Sequence, residues 1–328
     1  MSIATAEVHD PKPLLVLGVL SNERRQQWRE RLRKLYAPFA DRVIVRYVFD
    51  QTWLTRHPKL ATEDSVGVAV GRGRDLHCAH KMVGWWSTAH KWPGTFYAKT
   101  DDDAVLDLGR LLPILESLPR RRLYSGILRY SSINESSLEG ICWSAGGHGA
   151  LRKRSRYCKS ARGPIVFAEG PLIVMSSDVQ AMVAPRLKLD DRQRCHFEDL
   201  LLGKEIALLS QLNLVNLGPL IAEPNVVSGP RRGRPRGEWL GVKGPLGHWT
   251  RTEALYSRTI REFERAAREV PPRPEPVFNC SLWAHSFPRL REFPCCQDWS
   301  LCEPPDGGAA WSQLRAVYKG NLTLPEIL

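Results

Sequence analysis

The chain has 328 residues, with 47 Lys+Arg against 35 Asp+Glu, a formal charge of +12. With 43% hydrophobic and 25% charged residues it has a globular composition, which excludes a mostly disordered or collagen-like chain. No apolar run approaches the roughly 18–20 residues that span a bilayer, and the best, Leu14 to Leu20, is too short for a typical signal-peptide core.

Residues 1–12 are polar and are expected to be disordered. Pro13 to Ser21 (PLLVLGVLS) is a continuous apolar run, the pattern of a buried strand. From Asn22 onward, Trp28, Leu32, Leu35, Tyr36 and Phe39 recur at helical spacing, and Pro38 marks the end of that helix. Val43 to Phe49 (VIVRYVF) is a second strand, so the chain opens strand–helix–strand, the start of a parallel α/β sheet. A helix is predicted over 72–92, with Leu76, Met82, Val83, Trp86 and Ala89 available for its inner face. Thr95 to Thr100 is a strand that runs straight into Asp101-Asp102-Asp103. Leu106 to Leu118 reads as helix, Leu123 to Leu128 as strand, and the polar stretch 129–163 as loop. Gly170 to Ser176 is a further strand, and Ser177 or Asp178 can cap the helix that follows it. Glu198-Asp199 lies at the opening of another helix. Residues 228–247 are rich in Gly, Pro and Arg, residues 252–269 look helical, and residues 271–328 are rich in Pro, Trp and Cys.

A basic balance favours polyanions without choosing among them. The basic runs at Arg120–Arg122, Arg152–Arg162 and Arg231–Arg236 lack the spaced aromatics of a single-strand binder, and nucleic acid is not an expected partner. Eight cysteines permit four disulfides in 105 pairings, and there is no Cys-x-x-Cys. Four of them fall in the last fifty residues, which fits a stapled tail in an oxidising compartment; ordinary buried thiols are the alternative. Sequons at Asn134, Asn279 and Asn321 point toward a secretory lumen.

Three adjacent carboxylates repel one another, and a divalent cation is their usual partner, because hard cations take oxygen ligands. Strand alternation would put Asp101 and Asp103 on one side while the strand lasts, at the carboxyl end where open α/β sheets bind ligands. A solvated acidic turn or a helix cap is the alternative. The pair Glu198-Asp199 could supply a general base or simply acidic residues in a first helical turn.

Taken together, these residues resemble glycosyltransferase family 31, the β-1,3-galactosyltransferase, β-1,3-N-acetylglucosaminyltransferase and fringe family. The resemblance runs over roughly residues 13–215. It rests on Arg24-Arg25 through Arg29, on Glu63-Asp64-Ser65-Val66, and on Lys81 with Trp85 or Trp86. It continues in Tyr97-Ala98-Lys99-Thr100-Asp101-Asp102-Asp103, Ala168 to Ser176 and Glu198-Asp199-Leu200-Leu201-Leu202-Gly203. The family's Thr-Trp ending after the first arginines and the tyrosine of its glycine-led strand are missing here.

The resemblance implies an α/β fold of GT-A type, a Rossmann-like nucleotide-sugar-binding sheet flanked by helices, with a Cys/Trp-rich C-terminal tail. The implied organisation is a disordered terminus over 1–12, the catalytic domain over 13–227, a linker and helix over 228–270, and the tail over 271–328. It implies metal-dependent, inverting transfer of galactose or N-acetylglucosamine from a UDP-sugar to a glycan or glycoprotein, in β-1,3 linkage. Asp103 would bind Mn²⁺ or Mg²⁺, with His248 the candidate second ligand, and Asp199 would be the catalytic base. Asp101, Asp102, Arg29, Lys81, Gly170 and Glu198 would contact the UDP-sugar. Family members usually sit in the Golgi lumen on an N-terminal anchor, and such an anchor is not seen in this sequence. Two other classes remain open: a metal-dependent nuclease or phosphatase using the same carboxylates, and a non-catalytic glycan-binding protein on the same fold.

Overall fold

The structure, a computed structural model, describes residues 12–70, 77–134, 141–145, 161–188, 198–209, 212–217, 246–247 and 253–266. The first apolar run forms β1 (Leu15–Leu20), buried along its whole length. A short 3₁₀ turn leads into α1 (Gln26–Tyr36), which buries Leu32 and Tyr36 and rests Trp28 and Leu35 against the same core. The chain returns through β2 (Val43–Asp50), a short α2 (Gln51–Arg56) and an edge strand β3 (Ser65–Val68). Then come α3 (His77–Thr88), β4 (Phe96–Asp101), the two-residue β5 (Val105–Leu106) and α4 (Leu108–Ser117).

Three long or paired strands follow: β6 (Leu123–Asn134), β7 (Ile141–Ala145) and β8 (Ala161–Ser176). Beyond them are α5 (Ser177–Val183), α6 (Glu198–Ala207), β9 (Asn213–Asn216), β10 (Leu246–Gly247) and α7 (Glu253–Ala266).

All strands except β5 and β10, which pair with each other, build one mixed sheet in the order β3-β2-β1-β4-β8-β6-β7, with β9 beside β6. β3, β2, β1 and β4 run parallel, β8 runs antiparallel to β4, and β6 and β9 run parallel to each other. Helices cover both faces. Leu15, Leu17 and Val19 share one core with α1, α4 and α7, whereas Val16 and Leu20 share the other with α3, α5 and α6. This is an α/β architecture compatible with a Rossmann-like fold. The parallel order grows outward from β1 to β3 and then jumps back to β4 on the other side of β1. Right-handed crossovers force the helices before and after such a reversal onto opposite faces, as α1 and α3 are here.

Gly18 marks the centre of this arrangement. The Trp85 indole lies where a side chain at Gly18 would stand, and its Nε1 donates to the Ala98 carbonyl of β4 at 3.0 Å. One tryptophan thus pins β1, β4 and α3 together.

Several expectations need correction. The stretch 129–163 is not all loop: β6 continues to Asn134, β7 occupies 141–145, and β8 starts at Ala161. Antiparallel ladders between β6, β7 and β8 satisfy that backbone whatever the polarity of its side chains. The fourth helix starts at Leu108 rather than Leu106, because Asp107 caps it by accepting the Arg110 N–H. Ser176, not Ser177 or Asp178, is the N-cap residue of α5. The Asp178 carboxylate instead accepts the N–H of Arg122, a residue held at φ 57°.

α7 packs on the sheet domain, burying Tyr256 and Phe263 and setting Tyr256 edge-on to Trp28. Residues 1–11, most of the linker, and the tail with Cys280, Cys295, Cys296, Cys302, Trp283 and Trp299 lie outside the described residues.

A Cβ at position 18 would overlap the Trp85 ring, so Gly18→Ala must push α3 away from the sheet. It is expected to lower stability by about 1–3 kcal/mol, read as a lower urea midpoint with an unchanged m-value.

Candidate active-site crevice

β1 and β4 pair in register, so Leu20 stands opposite Asp101 and both strands end together. Past that point the Asp102 N–H donates to the Leu20 carbonyl at 3.1 Å, which binds the two loops to each other. The crevice at such a reversal of strand order, beyond the carboxyl ends, is where open α/β sheets take ligands.

The three aspartates do not point the same way. The strand ends at Asp101, and the turn that follows carries Asp102 and Asp103 together toward the β1 loop. Arg25 bridges them, with Nη1 3.1 Å from Asp102 and 3.7 Å from Asp103. The alternation that would put Asp101 and Asp103 on one side holds only while the strand lasts, and the strand ends at Asp101, two residues before Asp103. Asp102 also accepts from the Ser21 hydroxyl at 2.8 Å. Burial pushes its pKa up to about 6, against the pull of Arg25.

Asp101 turns the other way. Tyr97, Lys99 and Asp101 alternate onto the face covered by α6, and the Lys99 ammonium beneath them is completely buried. It lies 3.0 Å from Asp101 Oδ1, 2.8 Å from Glu198 Oε1 and 3.0 Å from the Gly170 carbonyl. Burial alone would lower its pKa; the carboxylates of Asp101, Glu198 and Asp199 overcome that and raise it.

Gly170 crosses between these groups on β8. Its N–H donates to Asp199 Oδ2 at 2.8 Å. A Cβ there would sit 3.1 Å from Lys99 Nζ, 3.3 Å from Asp199 and 3.4 Å from Asp101. Glycine leaves room for three charged groups to converge.

Glu198 and Asp199 occupy the first turn of α6 and are half-buried there. One oxygen of each, Glu198 Oε2 and Asp199 Oδ1, has no hydrogen-bond partner among the described residues. Burial raises both pKa values; that of Asp199 reaches about 8, lowered in part by Lys99 and raised further by Glu198 and Asp101. A half-buried carboxylate with a spare oxygen and a raised pKa is a competent proton acceptor near neutral pH.

Arg29 and Lys81 reach the same loop from behind. Arg29 is buried, donates to the Ser21 hydroxyl at 3.1 Å and to the Asn22 carbonyl, and stacks over Phe49. Lys81 donates to the Ser21 carbonyl at 2.6 Å, and burial lowers its pKa. Both hold the loop that holds Asp102. His248 lies outside the described residues; the strand before it, β10, pairs with β5 at Gly247↔Val105, two residues past Asp103.

Arg25, Lys99 and Ser21 complete the crevice and were not among the expected site residues. The usable signal was Lys99 itself: a lysine inside a buried strand requires acceptors in the fold. Among the described residues no three His, Cys, Asp or Glu side chains are grouped to hold a metal ion. Asp103, buried beside Arg25 at the crevice, carries the hard oxygens that a cation bound by one or two carboxylates and completed by phosphate oxygens would use. No helix among the described residues is long and apolar enough to cross a membrane. No protein-family model matches the chain, and no curated protein matches it.

A carboxylate whose folded pKa lies above its unfolded value weakens the fold as pH rises between the two. For Asp199 that window runs from 3.8 to about 8. Asp199→Asn keeps an oxygen for the Gly170 N–H and should be more stable than wild type at pH 8, the difference shrinking toward pH 4. Urea titrations across that range check it, and an equal pH slope in the two proteins would refute the buried-acid assignment.

Proposed function

We propose that this protein is an inverting glycosyltransferase of GT-A fold, related to family 31. It moves galactose or N-acetylglucosamine from a UDP-sugar to a hydroxyl of a glycan or glycoprotein in β-1,3 linkage. The observation that carries the reading is the convergence of two acidic sets nearly a hundred residues apart, Asp101–Asp103 and Glu198-Asp199, on one crevice at the strand reversal. One set suits the donor diphosphate and the other offers a buried base.

In this mechanism an acceptor hydroxyl lies against Asp199 and gives its proton to the carboxylate. Its oxygen attacks the anomeric carbon from the side opposite UDP. The bond from the anomeric carbon to the phosphate oxygen breaks, and that electron pair leaves with UDP, so the centre inverts in one displacement. Mn²⁺ or Mg²⁺, held by Asp103 and on the family pattern by His248, would supply Lewis-acid stabilisation of the departing diphosphate. Asp101 and Asp102 frame the nucleotide side. Arg29 and Lys81, behind the Ser21-Asn22 loop, keep that side in place. Gly170 leaves the space in which sugar and base can meet. The compartment that goes with this chemistry is the Golgi lumen, with membrane attachment through an anchor of the family's kind.

A screen of UDP-sugars for UDP release in Mn²⁺ tests the reading. UDP-galactose or UDP-N-acetylglucosamine should turn over, and Asp103→Ala should abolish turnover. Cleavage of DNA or phosphate esters without UDP release from any sugar would instead select the nuclease or phosphatase class.

The base is tested separately. Asp199→Asn should bind UDP as wild type does and lose about 10²–10⁴-fold in turnover. Retained turnover would move the base elsewhere. Glycan binding that survives both metal removal and Asp199→Asn, without any turnover, would mark a binding protein.

A further inference from the structure

The role of Lys99 goes beyond neutralising the acids around it. Its ammonium has three N–H donors and three acceptors, Asp101, Glu198 and the Gly170 carbonyl, so its capacity is filled. It is fully buried and behind the crevice floor, out of reach of a ligand in the cleft. Each partner bears on Asp199. Glu198 is its neighbour in the first turn of α6. Gly170 holds Asp199 Oδ2 through its N–H while its carbonyl accepts from Lys99. Asp101 ends the strand on which Lys99 sits. One ammonium therefore ties β4, β8 and α6 together at the point where Asp199 is presented.

We propose that Lys99 is the positioning residue of this site: by holding Glu198 and the Gly170 carbonyl, it fixes Asp199 with Oδ1 unshared and able to take a proton. The proposal deepens the glycosyltransferase reading and rests on it for the identity of the proton donor. The groups that face Asp199 are Lys99 and Asp101 from β4, Glu198 from α6, the Gly170 N–H from β8 and Tyr124 from β6. Lys99 is the cation among them. Its loss leaves the carboxylates facing one another without a counter-charge, so the proton on Asp199 should be held more tightly.

The experiment reads Asp199 directly. Carboxyl infrared bands are titrated in wild type and in Lys99→Met, each as a difference from the same protein carrying Asp199→Asn. The Asp199 midpoint is expected to rise by about 1–3 pH units in Lys99→Met, and to return toward wild type in Lys99→Arg. Lys99→Gln, which keeps two donors for Glu198 and Gly170, serves where the Met variant does not fold, and should shift the midpoint in the same direction. An unchanged or lowered midpoint in a folded Met or Gln variant overturns the proposal. If a UDP-sugar turns over, the acid limb of its pH–rate profile should move upward with the infrared midpoint. If none does, the glycosyltransferase reading fails while the infrared titration still decides the role of Lys99.

Discussion

Right-handed crossover is the constraint on which the crevice depends. The chain builds β1, β2 and β3 outward on one side of β1 and then must cross back to place β4 on the other. The helix that makes the return, α3, is forced onto the face opposite α1. The loops after Leu20 and Asp101 are left side by side. Their alignment is set by the in-register pairing of the two strands and by Trp85, whose indole fills the place of a side chain at Gly18 and bonds to Ala98. A slip of one residue would send Asp101 to the opposite face of the sheet, away from Lys99 and α6.

The antiparallel half completes the site by a different route. β8 lies against β4 so that Ile173 stands opposite Lys99, and the segment just before it, Gly170-Pro171, runs past the ends of the parallel strands. There the backbone itself becomes part of the site. The Pro171 carbonyl accepts from Thr100 at 2.6 Å, the Gly170 carbonyl accepts from Lys99, and the Gly170 N–H donates to Asp199. Residues from three elements meet because main-chain groups bridge the side chains, a geometry that residue identity alone does not announce.

Much of the parallel half was legible from sequence. Its strands are buried on both faces and read as continuous apolar runs, and α1 carries its buried stripe where the spacing of Leu32 and Tyr36 puts it. The antiparallel extension over 129–134 and 141–145 was not legible, because its polar residues are paired through the backbone with segments distant in sequence. β3, four residues at the sheet edge, is too short to show a period. At the site, the acidic residues were visible as a run and as a pair. Their directions were not, since these depend on where the strand stops: ending at Asp101 turns Asp102 and Asp103 to Arg25 and leaves Asp101 to Lys99. The cations were overlooked for the opposite reason, one hidden in an apolar strand and one among many surface arginines.

The crevice gathers carboxylates in a chain that is basic overall. The protein bears a formal +12 and attracts anions from a distance. At the floor, the carboxylates of Asp101, Asp102, Asp103, Glu198 and Asp199 meet the cations Arg25, Arg29, Lys81 and Lys99, and burial keeps Asp199 protonated up to about pH 8. The two fields act over different ranges. The outer one gathers polyanions indiscriminately and fades with salt over roughly a Debye length. The inner one is a set of buried contacts between opposite charges, which salt screens much less. Raising ionic strength should therefore weaken the outer attraction much more than the contacts that hold the crevice together.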